Sequence, residues 1–117
     1  MTKATIYHNP RCSKSRETLK LLEQNNIDHD IHLYLERPLA KPALKQLLAE
    51  LQLPVREIIR NGEDEYKELG LNDKTLTDEQ LLDAISAQPK LMQRPIVSYQ
   101  GKARIGRPPE QVLELFQ

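Results

Sequence analysis

A chain of 117 residues with one Cys, no Trp and five aromatics is the size of one domain, here residues 1–117, and folding buries about two-thirds of its unfolded surface. One Cys excludes an internal disulfide, an internal dithiol pair and a cysteine-rich zinc module. No run approaches the ~20 apolar residues of a membrane span, and Met1–Ile6 turns polar at once, so no membrane association, no leader and a soluble cytoplasmic protein are expected.

Ala4–His8 is rich in β-formers and reads as a strand, ended by the turn signal Asn9-Pro10. Ser13 and Ser15 are candidate caps for a helix over about 15–25, with Leu19 and Leu22 on one face. Ile31–Leu35 reads as a second strand, which makes the opening β-α-β with parallel strands. Pro42 suits a first helical position, and Leu44, Leu47, Leu48 and Leu51 recur at amphipathic helical spacing. Val55–Arg60 and Asp64–Leu69 are short helical turns, the second closed by Gly70. Thr77 and Gln80 form a capping box that opens a helix through Leu81, Ala84 and Ile85. Ile96–Tyr99 and Ala103–Ile105 flank Gln100-Gly101 as a hairpin, and Pro108-Pro109 begins a last helix. The order predicts one α/β domain with a mixed sheet.

The seventeen basic and seventeen acidic residues cancel, which argues against a general nucleic-acid binder, but they are not evenly spread. Residues 1–16 carry four cations and 84–109 carry five, with no acid in either stretch. Residues 17–83 hold eight basic and fifteen acidic residues. Two distant basic segments that meet make an anion site; two that do not are solvated faces.

Cys12 lies between the first strand and the first helix, in His8-Asn9-Pro10-Arg11-Cys12-Ser13-Lys14-Ser15-Arg16. A helix N-terminus offers unpaired N–H groups and partial positive charge, and Arg11, Lys14 and Arg16 add cations close in sequence. Such settings lower a Cys pKa from about 8.5 to roughly 3.5–7.5, and the thiolate is the nucleophile. A lone Cys in a polar, basic loop fits that reading better than a buried apolar role. His8 is either a partner of the thiolate or a solvated ring at the strand end. Ser15 stands where a Cys-x-x-Cys pair places its second sulfur; its hydroxyl can donate to a thiolate but cannot form a disulfide.

The chain closely resembles the glutaredoxin-coupled arsenate reductase family, which has a thioredoxin-like fold. The marks are Ile6-Tyr7-His8-Asn9-Pro10 running into Cys12 and Ser15-Arg16, Leu33–Glu36, Arg60 with Tyr66 and Leu69-Gly70-Leu71, Asp78–Leu81, Arg94-Pro95-Ile96-Val97 and Arg107-Pro108. The resemblance implies a mixed four-stranded sheet with an inserted helical segment, in the order β-α-β-α-α-α-β-β-α. It implies Cys12 as the catalytic nucleophile, Arg60, Arg94 and Arg107 as ligands of the oxyanion, His8 and Ser15 as supporting residues, and a cis Pro95 beside the Cys. Guanidinium forks suit the oxygens of such an anion. The family commonly has Ala-Cys-Gly-Thr-Ser after the proline; here Arg11-Cys12-Ser13-Lys14-Ser15 is more cationic.

With one thiol in the chain, the resemblance implies glutathione as co-substrate and glutaredoxin as partner, with no bound cofactor or metal. A plain anion-binding module with an inert Cys stays open, as do two other readings. One is a glutathione-dependent thiol-disulfide oxidoreductase. The other is a non-enzymatic thioredoxin-fold regulator that binds RNA polymerase, although those relatives usually carry the Cys-x-x-Cys that Ser15 interrupts.

Overall fold

The computed structural model describes residues 3–117, so the Met1-Thr2 start of the segment read as leader-free lies outside it. Strand β1 (Ala4–Tyr7) alternates, with Ala4 and Ile6 fully buried and Thr5 and Tyr7 half-buried. It is an inner strand. On one side it pairs in parallel with β2 (His29–His32), and on the other antiparallel with β3 (Ile96–Tyr99). β3 pairs antiparallel with β4 (Lys102–Ile105) across the Gln100-Gly101 turn, giving the order β2-β1-β3-β4. Helix α1 (Ser13–Gln24) makes the crossover from β1 to β2. The mixed four-stranded sheet and the parallel opening are as the sequence predicts.

β1 stops at Tyr7 and α1 already begins at Ser13, and two further elements differ more from expectation. β2 covers His29–His32 instead of Ile31–Leu35. The four residues of β1 set this register, Ala4 opposite His29 and Tyr7 opposite His32. Beyond it the chain turns, with Glu36 and Arg37 N–H groups both donating to the Leu33 carbonyl. The last helix is a 3-10 helix, Pro109–Phe116. Three residues per turn align Pro109, Val112 and Leu115 on one side, and those are buried, buried and half-buried.

The chain divides into two compact units, one of the residues up to Arg37 with Arg94–Gln117, the other Pro38–Gln93. The first packs Ala4, Ile6, Leu22, Val97 and Val112 as a fully buried cluster, flanked by Leu19, Ile27, Tyr99, Leu115 and Phe116. Full burial of each Ile, Leu or Val contributes about 1.5–3 kcal/mol. This cluster anchors β1 and α1, and therefore the loop between them.

The second unit is the inserted helical segment. Helix α2 (Lys41–Leu51) buries Leu44, Leu47 and Leu51, with Pro42 at its second position. A 3-10 turn (Val55–Ile58), α3 (Asp64–Glu68) and α4 (Asp78–Ala87) follow. Gly70, at φ +64°, ends α3 by donating to the Lys67 carbonyl. The predicted capping box is complete: Gln80 N–H donates to Thr77 Oγ1 at 3.2 Å, and Thr77 N–H to Gln80 Oε1 at 2.8 Å. No helix among the described residues is long and apolar enough to cross a membrane.

Candidate active site

The loop after β1 is shaped by its own polar groups. His8 N–H extends the sheet by donating to the His32 carbonyl at 2.9 Å. Asn9 then closes a turn, its carbonyl accepting from Cys12 N–H at 3.0 Å and its Oδ1 from Arg11 N–H at 3.0 Å. Cys12 is the N-cap of α1, with Arg16 N–H donating to its carbonyl at 3.0 Å.

Neither Ser13 nor Ser15 caps the helix, contrary to the sequence reading. The Ser15 hydroxyl is engaged elsewhere: it accepts from Asn9 N–H at 3.0 Å and bonds His8 Nδ1 at 2.7 Å, fully buried. An N-cap oxygen ordinarily accepts from the second or third helical N–H. Here a half-buried sulfur occupies that place. No cap bond closes on it with full geometry, yet the Ser15 and Lys14 N–H groups face it closely enough to favour its anion.

The Cys12 pKa reflects opposed effects. Partial burial raises it. Against that act the Ser15 N–H, the Arg94 guanidinium through both a hydrogen bond and its charge, and the Lys14 N–H. The net result is a thiol whose pKa is held below its ordinary value. Arg107 adds a further contact, with Nη2 3.9 Å from Cys12 Sγ. The same guanidinium donates from Nε to the Arg94 carbonyl at 2.9 Å, which orients it. The Arg94 Nε atom is buried with no hydrogen-bond partner among the described residues.

The cations beside the sulfur therefore come from the distant basic segment, not the local one. Arg16 Nη1 donates to the Pro10 carbonyl at 2.9 Å, and Lys14 Nζ lies 3.8 Å from Glu17. Arg16 acts instead on His8. Burial lowers the His8 pKa, and the Arg16 charge lowers it further. His8 is thus a buried, neutral ring bonded to Ser15 and not a solvated strand end.

Pro95 follows Arg94 through a cis peptide bond, as the resemblance implies, and Arg107–Pro108 is also cis. Gly106 N–H donates to the Pro95 carbonyl at 2.9 Å. A Cβ at Gly106 would stand 2.6 Å from Thr18 Oγ1 and 2.8 Å from Pro95 Cγ. Thr18 in turn donates to the Lys14 carbonyl in the first turns of α1. Gly106, passed over in the sequence reading, thus lets the helix at Thr18 pack against the proline. A glycine between Ile105 and Arg107 is the signal that could have exposed this contact.

Arg60 belongs to the second unit. Its N–H donates to the Leu91 carbonyl at 2.7 Å beside an Ile59–Met92 bridge, and its Nε lies 3.7 Å from Glu63. His29 and His32 turn ring nitrogens to the carbonyls of Ile27 and Arg37, each at 2.8 Å. Among the described residues no group of three His, Cys, Asp or Glu gathers as a metal site.

An N-capping thiol favoured as its anion, with two guanidinium groups converging on it, is equipped to attack an electrophile and hold its negative oxygens. The ArsC family model matches residues 7–115. The chain is 56% identical to the uncharacterized protein YfgD of Escherichia coli K12, over 98% of each chain. It is 46% identical to an arsenate reductase of Haemophilus influenzae, over 95% of this chain and 97% of the relative. The solved structure of an arsenate reductase from Vibrio cholerae is similar at a TM-score of 0.95 and 50% identity, covering 97% of this chain and 98% of that one. This sequence, built around Cys12, belongs to the ArsC family.

Proposed function

We propose that the protein is an arsenate reductase that works through Cys12. The observation carrying this reading is the placement of Arg94 and Arg107 at the Cys12 sulfur. Disulfide exchange, the alternative reaction, gains from the lowered thiol pKa but offers no oxyanion oxygens for two guanidinium forks to grip. The Cys12 thiolate attacks arsenic and displaces one oxygen, which leaves as water after taking up protons. Arg94 and Arg107 neutralise the remaining oxygens as the sulfur–arsenic bond forms. The resemblance adds Arg60 as a third arginine of substrate binding. His8 and Ser15 support the loop: the hydroxyl holds the Asn9 N–H, and the Ser15 N–H favours the thiolate.

Reduction then needs two external thiols, because the chain has a single Cys. Glutathione supplies them, and glutaredoxin returns Cys12 to its free form by thiol exchange. The balance is one arsenate and two thiols giving arsenite, one disulfide and one water. Both electrons pass from sulfur to arsenic.

The test is arsenate-dependent NADPH oxidation in the presence of glutathione, glutaredoxin and glutathione reductase. The expected rate exceeds the enzyme-free control and is abolished in Cys12→Ser. A rate equal to that control defeats the proposal. Arg94→Ala, Arg107→Ala and Arg60→Ala should each raise the KM for arsenate, and an unchanged KM removes that arginine from the reading.

A further inference from the structure

A cleft of about 400 Å³ opens beside the Cys12 loop. Pro10, Leu33 and Leu35 supply its apolar lining, and His8 and Asn9 complete it together with Arg11 and Glu36. The volume falls in the range of small-molecule sites, about 300–1,000 Å³. Leu35 stays 37% exposed here, a large apolar side chain left in water at the site. Arg11 and Glu36 are exposed, and neither side chain has an ion-pair or hydrogen-bond partner among the described residues. The cleft therefore presents one free cation from the loop that carries the nucleophile, and one free anion and most of an apolar surface from the turn after β2.

We infer that this cleft binds a small zwitterionic thiol peptide of the glutathione class, an inference that rests on the reductase reading for its need of an outside thiol. Arg11 takes a carboxylate of the peptide and Glu36 its ammonium group. The methylenes between those charges cover Leu33, Leu35 and Pro10. An anion such as arsenate has no use for Glu36, which repels it. A neutral apolar ligand has no use for either charge. The pairing of opposite charges across an apolar surface selects a ligand that carries both. Arg11 is adjacent to Cys12 in the chain, so a peptide held by it lies against the loop that carries the nucleophile.

The test uses S-methylglutathione, whose blocked sulfur cannot exchange, titrated into the isotope-labelled full chain and followed by amide NMR shifts. Shifts are expected at Arg11, Leu33, Leu35 and Glu36. Glu36→Gln and Arg11→Gln should each weaken binding about two- to fivefold, the scale of an exposed ion pair. The variants' own spectra report that they are folded. The inference is overturned by an absence of shifts at millimolar peptide, by shifts centred on Lys20 and Glu110, or by unchanged affinity in both folded variants. It is equally overturned if only intact glutaredoxin, and not the peptide, moves these amides. Because binding needs no turnover, peptide binding without arsenate reduction defeats the reductase reading alone. Glutathione-dependent reduction without shifts in the cleft defeats the cleft alone.

Discussion

Arg107 Nη2 stands 3.9 Å from the sulfur of Cys12, although 95 positions of sequence separate the two residues. The contact exists because β3 lies beside β1 and its ends carry the cations: Arg94 just before β3, and Arg107 just after the returning strand β4. The basic clusters at 1–16 and 84–109 meet at Cys12, but unequally. The distant cluster faces the sulfur, while the local one braces the loop and acts on His8.

Thiolate absorbance of the folded wild-type chain should titrate with a midpoint below that of the same thiol in the urea-unfolded chain. Arg94→Ala removes a hydrogen bond and a charge from the sulfur, so the midpoint should rise. Arg107→Ala should raise it by less, since an exposed contact at 3.9 Å is more strongly screened. An unchanged midpoint in Arg94→Ala refutes the account of Cys12 activation.

Stability should fall on acidification below about pH 6.5. The folded state holds the His8 pKa under its ordinary 6.5, so in that window the unfolded chain binds a proton that the folded chain refuses. Cys12 follows the same sign at higher pH: its stabilising share is complete above the pKa of the unfolded thiol and is lost as pH falls through the lowered folded value. Denaturant midpoints measured across pH should show a smaller acid slope in His8→Gln. An identical slope in that variant would falsify the assignment to His8.

Gly106→Ala should destabilise the protein by about 1–3 kcal/mol, the usual cost of overpacking. The new methyl would enter space held by Thr18 Oγ1 and Pro95 Cγ. Chemical denaturation measures the loss. Wild-type stability in Gly106→Ala means that the contact relaxes freely and that Gly106 plays no part in setting helix against proline.

Ser15→Ala should cost about 1–3 kcal/mol, because it strips a buried Asn9 N–H of its acceptor. His8 Nδ1 loses its partner in the same change. Hydrogen exchange offers a local readout: the Asn9 amide should lose protection, while amides of β4 keep theirs.

The periodic features were legible in the sequence. The run of β-formers in β1, the leucine spacing of α2 and the Thr77–Gln80 box are local patterns, and each forms the element read from it, β1 stopping one residue short at Tyr7. What was not legible depends on pairing at a distance. The end of β2 follows from where β1 runs out of residues to pair with, so the apolar Leu33–Leu35 run became a turn. The capping role given to the serines failed because Ser15 had a stronger claim on its oxygen from Asn9 and His8. The cations beside Cys12 in sequence were not those beside it in space, a matter of sheet order that no local window contains. The resemblance reached past that limit to Arg94, Pro95 and Arg107, but not to Gly106, whose part lies in the absence of a side chain.

The dependence of Cys12 on residues near the end of the chain also governs when its chemistry begins. During synthesis Cys12 precedes Arg94 by about eighty residues, roughly 4–16 s at 5–20 residues per second. Throughout that interval the emerging thiol lacks both guanidinium groups and behaves more nearly as an ordinary cysteine. A ribosome-bound chain thus carries a less activated thiol until β3 and β4 have joined the sheet, and full activation arrives together with the native fold.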